Sequence, residues 1–90
     1  MKYVGLQSLK DLIRKYNDEV KEFALKYVES KEFRQAKYND MTARQLLRVI
    51  SNEDHEGKRA ALICLLNYKM DKKIYVTMSE KRHFHKFLND

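Results

Sequence analysis

Leu9, Ile13, Tyr16, Val20, Phe23 and Tyr27 recur at steps of 4, 3, 4, 3 and 4 near the start of the chain. Apolar residues at that spacing line one face of a helix, and they predict a single helix over residues 9–29. Ser8 followed by Asp11 reads as its capping box, in which a hydroxyl and an acid three positions later satisfy unpaired N–H groups. On the other face Asp11 stands four residues before Lys15, and Glu22 four before Lys26. That order favours ion pairs along a helix. The stripe stops at Ser30, because Ser30, Arg34 and Lys37 hold the positions that would continue it.

Shorter patterns follow. Residues 31–37 predict a second helix with Phe33 and Ala36 inward. Tyr38-Asn39-Asp40 reads as a turn, since Asn and Asp bond their own backbone and tolerate left-handed angles. Thr42-Ala43-Arg44-Gln45 is a T-x-x-Q capping box, and Met41 before it is placed to staple onto Leu46. A third helix over 43–51 then carries Leu46, Leu47, Val49 and Ile50 inward. The polar run 51–57 interrupts the pattern. Its acids suit the start of a further helix, where negative charge meets the positive end of the dipole. Residues 56–70 hold Ala60, Ala61, Leu62, Ile63, Cys64, Leu65, Leu66 and Tyr68. A helix apolar almost all round belongs at the centre of a domain. Asp71-Lys72-Lys73 closes it. Residues 74–78 are β-branched and aromatic and read as extended. A two-stranded ribbon pairing 2–6 with 74–78 is the minor alternative. A last helix is predicted over 79–88, with Phe84, Phe87 and Leu88 inward.

The chain has two glycines and no proline in 90 residues. Those residues punctuate turns and hairpins, so their scarcity argues against a sandwich or barrel. The expected fold is one all-α domain, a compact bundle of four to five short helices. Cys64 is the single cysteine, which excludes an intramolecular disulfide. In the run Leu62-Ile63-Cys64-Leu65-Leu66 it reads as a small buried hydrophobe rather than a reactive thiol. One thiol and no secretion signal fit a reducing, cytoplasmic setting. No run of about 18 apolar residues is present, the length a membrane span requires.

Candidate chemistry is sparse. On a helix, His83 and His85 would point to opposite sides, and the i,i+4 spacing of zinc helices is absent. His55, among Glu53, Asp54 and Glu56, reads as a solvated helix start. No G-x-S-x-G, phosphate loop or G-x-G-x-x-G occurs. An acid–base nuclease assembled from the 53–56 acids and the C-terminal bases is a weaker reading than plain surface charge. The expectation is no catalytic residue, no metal and no cofactor.

Charge changes the picture. Nineteen Lys and Arg face thirteen Asp and Glu, a net +6. From 10 to 30 acids and bases balance, five against five, so the excess lies later. The segment Glu32–Ser51 resembles a helix-turn-helix at four positions: Ala36 as the small residue of the first helix, Met41 after the turn, and Leu46 and Val49 inward. It departs at three, with Gln35 and Asn39 where apolar residues are usual and Asp40 in place of the turn glycine. The resemblance implies that Thr42, Arg44, Gln45 and Arg48 open a recognition helix that meets base edges. Arg suits guanine and Gln adenine. Arg44 and Arg48 repel at i,i+4 unless an anion lies between them. Lys31, Arg34 and Lys37 are placed to reach phosphates.

A second basic surface comprises Lys69, Lys72, Lys73, Lys81, Arg82 and Lys86, interleaved with Tyr68, Tyr75 and His85. From 68 to 90 six bases face three acids, or +3. Such a stripe binds phosphates without reading sequence, and aromatics among the bases can stack unpaired bases. The leading expectation is a small non-enzymatic regulator that binds nucleic acid, DNA first. The alternative is a phage- or mobile-element-type inhibitor or adaptor that binds a protein or nucleoprotein complex. Six tyrosines suit such an interface, and an anionic partner would complement +6. Placement of the charges and tyrosines discriminates the two.

Overall fold

A computed structural model of the chain describes residues 5–16, 18–72 and 74. Among them run five α-helices: α1 (Leu6–Ile13), α2 (Asp18–Glu29), α3 (Lys31–Ala36), α4 (Ala43–Asn52) and α5 (Glu56–Asp71). One turn of 3₁₀-helix lies at Tyr38–Asp40, and the described residues hold no strand. The all-α expectation holds. The ribbon partners 2–4 and 75–78, and the last helix 79–88, lie outside the described residues.

α5 is the centre, as its sequence predicts. Ala61, Leu62, Leu65 and Leu66 are fully buried, and Ala60, Cys64 and Met70 nearly so. Each fully buried leucine contributes about 1.5–3 kcal/mol relative to an exposed one. α1, α2 and α4 all pack on α5, α1 also lies on α2, and α3 rests on α2. Ile74 closes the helix end: its N–H donates to the Lys69 carbonyl at 2.8 Å, and its side chain is buried.

The single helix predicted over 9–29 is two helices. α1 stops at Ile13, and the chain tightens through Lys15 N–H to Leu12 O and Tyr16 N–H to Ile13 O. An unbroken helix from 6 to 29 would be about 36 Å long, against about 24 Å for α5. Breaking it lets both pieces lie on α5. The core stripe shifts accordingly. Leu9 and Ile13 are buried, but α2 contributes Ala24, Tyr27 and Val28 and leaves Phe23 exposed at 38%, and Tyr16 in the link before α2 is exposed at 36%. The Ser8–Asp11 box does not form, because Gly5 is the N-cap and Ser8 lies inside α1. Asp11 instead accepts from Gln7 Nε2 and pairs with Arg14.

Caps divide the rest. Ser30 ends α2 and begins α3: its hydroxyl donates to Tyr27 O at 2.6 Å and accepts from Phe33 N–H at 3.2 Å. Lys37 terminates α3 in the left-handed region, φ 56° and ψ 42°. The tolerant Asn39 and Asp40 were the expected site of that angle, yet the lysine adopts it, at a cost of about 1–2 kcal/mol. The Thr42–Gln45 box forms as predicted. His55 caps α5, and Glu56 lies in its first turn as the acidic run predicts. His55 Nδ1 accepts from Gly57 N–H at 3.1 Å and Lys58 N–H at 3.4 Å, so the ring's proton lies on Nε2.

Candidate nucleic-acid interface

α4 is turned by its apolar face. Ala43, Leu46 and Ile50 are fully buried, which leaves Arg44, Gln45 and Arg48 exposed. Four residues apart on a helix, the two arginines share one solvent face. Thr42 and Gln45 are committed to each other: Thr42 Oγ1 accepts from Gln45 N–H at 3.2 Å, and Gln45 Oε1 accepts from Thr42 N–H at 2.9 Å. A bidentate contact from Gln45 to adenine needs that same oxygen, so it would cost the cap bond.

Lys31, Arg34 and Lys37 are exposed on and after α3. Residues 31–52 carry five bases and two acids, or +3. One acid, Glu32, is taken by Lys58 of α5 at 3.1 Å. The other, Asp40, acts on the buried ammonium of Lys69. Among the described residues, Lys31, Arg34, Lys37, Arg44 and Arg48 enter no ion pair, whereas Lys10, Arg14 and Lys72 have Glu29, Asp11 and Asp71.

The two helices do not rest mainly on each other: α3 packs on α2 and α4 on α5. Their connection runs from Lys37 to Thr42, one residue longer than the expected helices over 31–37 and 43–51 leave between them, because α3 ends at Ala36 and Lys37 is left-handed. α5 fastens this connection. Lys69 Nζ donates to the backbone carbonyls of Asn39 at 3.0 Å, Tyr38 at 3.4 Å and Met41. Its side chain is 0% exposed. Burial pushes its ammonium below the ordinary lysine value, and the Asp40 carboxylate pulls the other way. Lys69 therefore leaves the second basic surface to which its neighbours assigned it. A signal was present: Lys69 stands four residues after Leu65 and three after Leu66, on the buried stripe.

Of that second surface, Lys72 is exposed, with Nζ 6.0 Å from the half-buried Tyr68 ring. Lys73, Lys81, Arg82 and Lys86, with Tyr75, His83 and His85, lie outside the described residues. The described tyrosines do not gather on one exposed face. Tyr16 is exposed, Tyr38 and Tyr68 are half-buried, and Tyr27 is buried with its hydroxyl 3.2 Å from that of Tyr38. Phe33 sits against both rings, at centroid distances of 5.3 Å. Burial, then the Tyr38 hydrogen bond, pushes the Tyr27 phenol above the usual tyrosine value.

Burial pushes the Cys64 thiol up to about 11, away from the thiolate that nucleophilic cysteines need. Among the described residues no three His, Cys, Asp or Glu side chains gather as metal ligands, and no helix is long and apolar enough to cross a membrane. Comparison with protein-family models, with curated proteins and with solved structures returns no match.

Proposed function

We propose that the chain is a non-enzymatic regulator that binds nucleic acid, DNA first, through the exposed cations of α3 and α4. One observation carries the reading. The five bases of residues 31–52 are exposed and without ion pairs among the described residues, while of the two acids of the segment Glu32 is already taken by Lys58 of α5. Phosphates are the polyanion that such a cation set neutralises, with release of counterions. A phosphate or a guanine edge between Arg44 and Arg48 relieves their mutual repulsion. Lys31, Arg34 and Lys37 hold the backbone in register, and the Lys69-fastened connection fixes the distance between the two groups. Gln45 stays in its cap, so Arg44 and Arg48 carry readout.

The second reading is an inhibitor or adaptor that binds a protein. Exposed Leu6, Tyr16 and Phe23, at 47%, 36% and 38%, favour it. Tyr16 and Phe23 lie in the charge-balanced stretch 10–30 and Leu6 just before it, apart in sequence from the bases of 31–52.

Titration of duplex and single-stranded DNA from low to near-physiological salt, monitored by fluorescence anisotropy, separates the two. Arg44→Ala with Arg48→Ala is expected to leave the fold intact, weaken binding and relax sequence preference by about 1–3 kcal/mol for each arginine, whereas Lys31→Ala should lower the salt slope by about 1. In the double variant, affinity and sequence preference equal to those of the wild type would remove the α4 interface. Absence of DNA binding with retained capture of a protein partner would establish the second reading.

A further inference from the structure

We infer that a cleft between α1, α2, α3 and the 3₁₀ turn is a binding site for a small amphipathic anion, an apolar tail ending in a carboxylate or sulfonate. The cleft encloses about 630 Å³, within the range of roughly 300–1,000 Å³ typical of small-molecule sites. Leu6, Leu9, Val28 and Phe33 supply its apolar lining. Leu6 is the most exposed of the large apolar residues described, at 47%, and a tail laid against it removes that surface from water.

The charged part of the lining decides the occupant. Glu29 and Asp40 border the cleft; Glu29 is paired by the Lys10 ammonium, whereas Asp40 enters no ion pair among the described residues. The hydroxyls of Ser30 and Tyr38 are engaged with Tyr27. Arg34 and Lys37 also line the cleft, and neither enters an ion pair among the described residues. An apolar floor with two unmatched cations beside it fits one negative headgroup on a hydrocarbon or aromatic body. A nucleic acid would leave that floor uncovered, and with Glu29 paired, two unpaired cations against one carboxylate leave the rim one positive charge in excess. The site shares Arg34 and Lys37 with the proposed phosphate contacts of α3, so an anion held there would compete with DNA, but it does not depend on Arg44 or Arg48.

Dodecanoate, titrated below its micelle concentration into the ¹⁵N-labelled full chain, tests this. Saturable amide shifts are expected at Leu6–Leu9 and Val28–Asn39. Dodecylammonium, with the same tail and the opposite charge, is expected to bind at least about tenfold more weakly, the value of one charge-assisted hydrogen bond. Arg34→Glu with Lys37→Glu is expected to lose dodecanoate by about the same factor or more. Leu6→Ser removes lining without touching charge and should weaken both tails. Arg59→Glu, an exposed charge outside the cleft, controls for net charge and should leave binding unchanged. Shifts elsewhere, no saturation, equal binding of the two tails, or loss with Arg59→Glu equal to that with the double variant would each overturn the proposal.

Discussion

At its first turn α5 meets its neighbours through groups that water still reaches; at its last it meets them through one ammonium that water does not. Near the start, Lys58 reaches Glu32 of α3 at 3.1 Å and lies 5.5 Å from the Tyr27 ring, with its partner's side chain 64% exposed. His55 caps the helix there and stacks on Phe23 at 4.1 Å. Near the end, Lys69 is fully enclosed and holds three carbonyls of the connection between α3 and α4. Both lysines tie α5 to the same stretch of chain. The exposed pair trades one hydrated state for another and contributes little. The buried ammonium has lost its water, so its bonds to the carbonyls are obligatory, and those carbonyls depend on it in turn.

Lys69→Met should break this contrast most severely. The side chain keeps its bulk and loses its donors, and the carbonyls of the connection lose a charged partner. Urea denaturation is expected to show a loss of about 2–3 kcal/mol, with amide exchange accelerated at 37–42 rather than in α2. Stability at or above wild type would mean that the cost of burying the ammonium exceeds its bonds, as happens at some buried ion pairs.

A smaller effect is expected at the first turn. A Cβ on Gly57 would come within 2.8 Å of Phe23 Cγ, so Gly57→Ala forces the ring away and disturbs its stack on His55. Overpacking of this kind costs about 1–3 kcal/mol, offset in part by the better helix propensity of alanine. In a Phe23→Ala background, where only the Cβ at 3.0 Å remains, the same change should cost markedly less, which a double-mutant cycle measures. An equal cost in both backgrounds would show that the glycine serves the helix backbone instead.

The smallest change is Lys58→Met. Its denaturation midpoint should lie close to that of the wild type, and added salt should erase any difference. A loss comparable to that of Lys69→Met would abolish the distinction between the two ends.

What the chain discloses before folding follows the range of each interaction. The Thr42–Gln45 box spans four residues and is legible as written. The apolar run 60–66 announces the central helix for the same reason. The break after Ile13 has no glycine or proline to mark it, and only the length of α5 makes it necessary. His55 is hidden among acids that look like better caps. Lys69 bonds carbonyls about 30 residues away, and its neighbours Lys72 and Lys73 disguise it as surface. At the candidate interface, the exposure of Lys31, Arg34, Lys37, Arg44 and Arg48 is readable from periodicity. The engagement of Glu32 by Lys58 of α5, which removes one of the two acids near those bases, requires the tertiary structure.

Gly57 and Lys69 stand twelve residues apart on one helix, about 18 Å along its axis. One must face Phe23, and the other must face the carbonyls after α3. Inserting or deleting a single residue between them would rotate one end against the other by about 100° and shift it by about 1.5 Å. α5 is thus a ruler as well as a core. Its interior can be respelled with other apolar residues of similar volume, but its length cannot be edited, and additions to the chain belong in the links outside it.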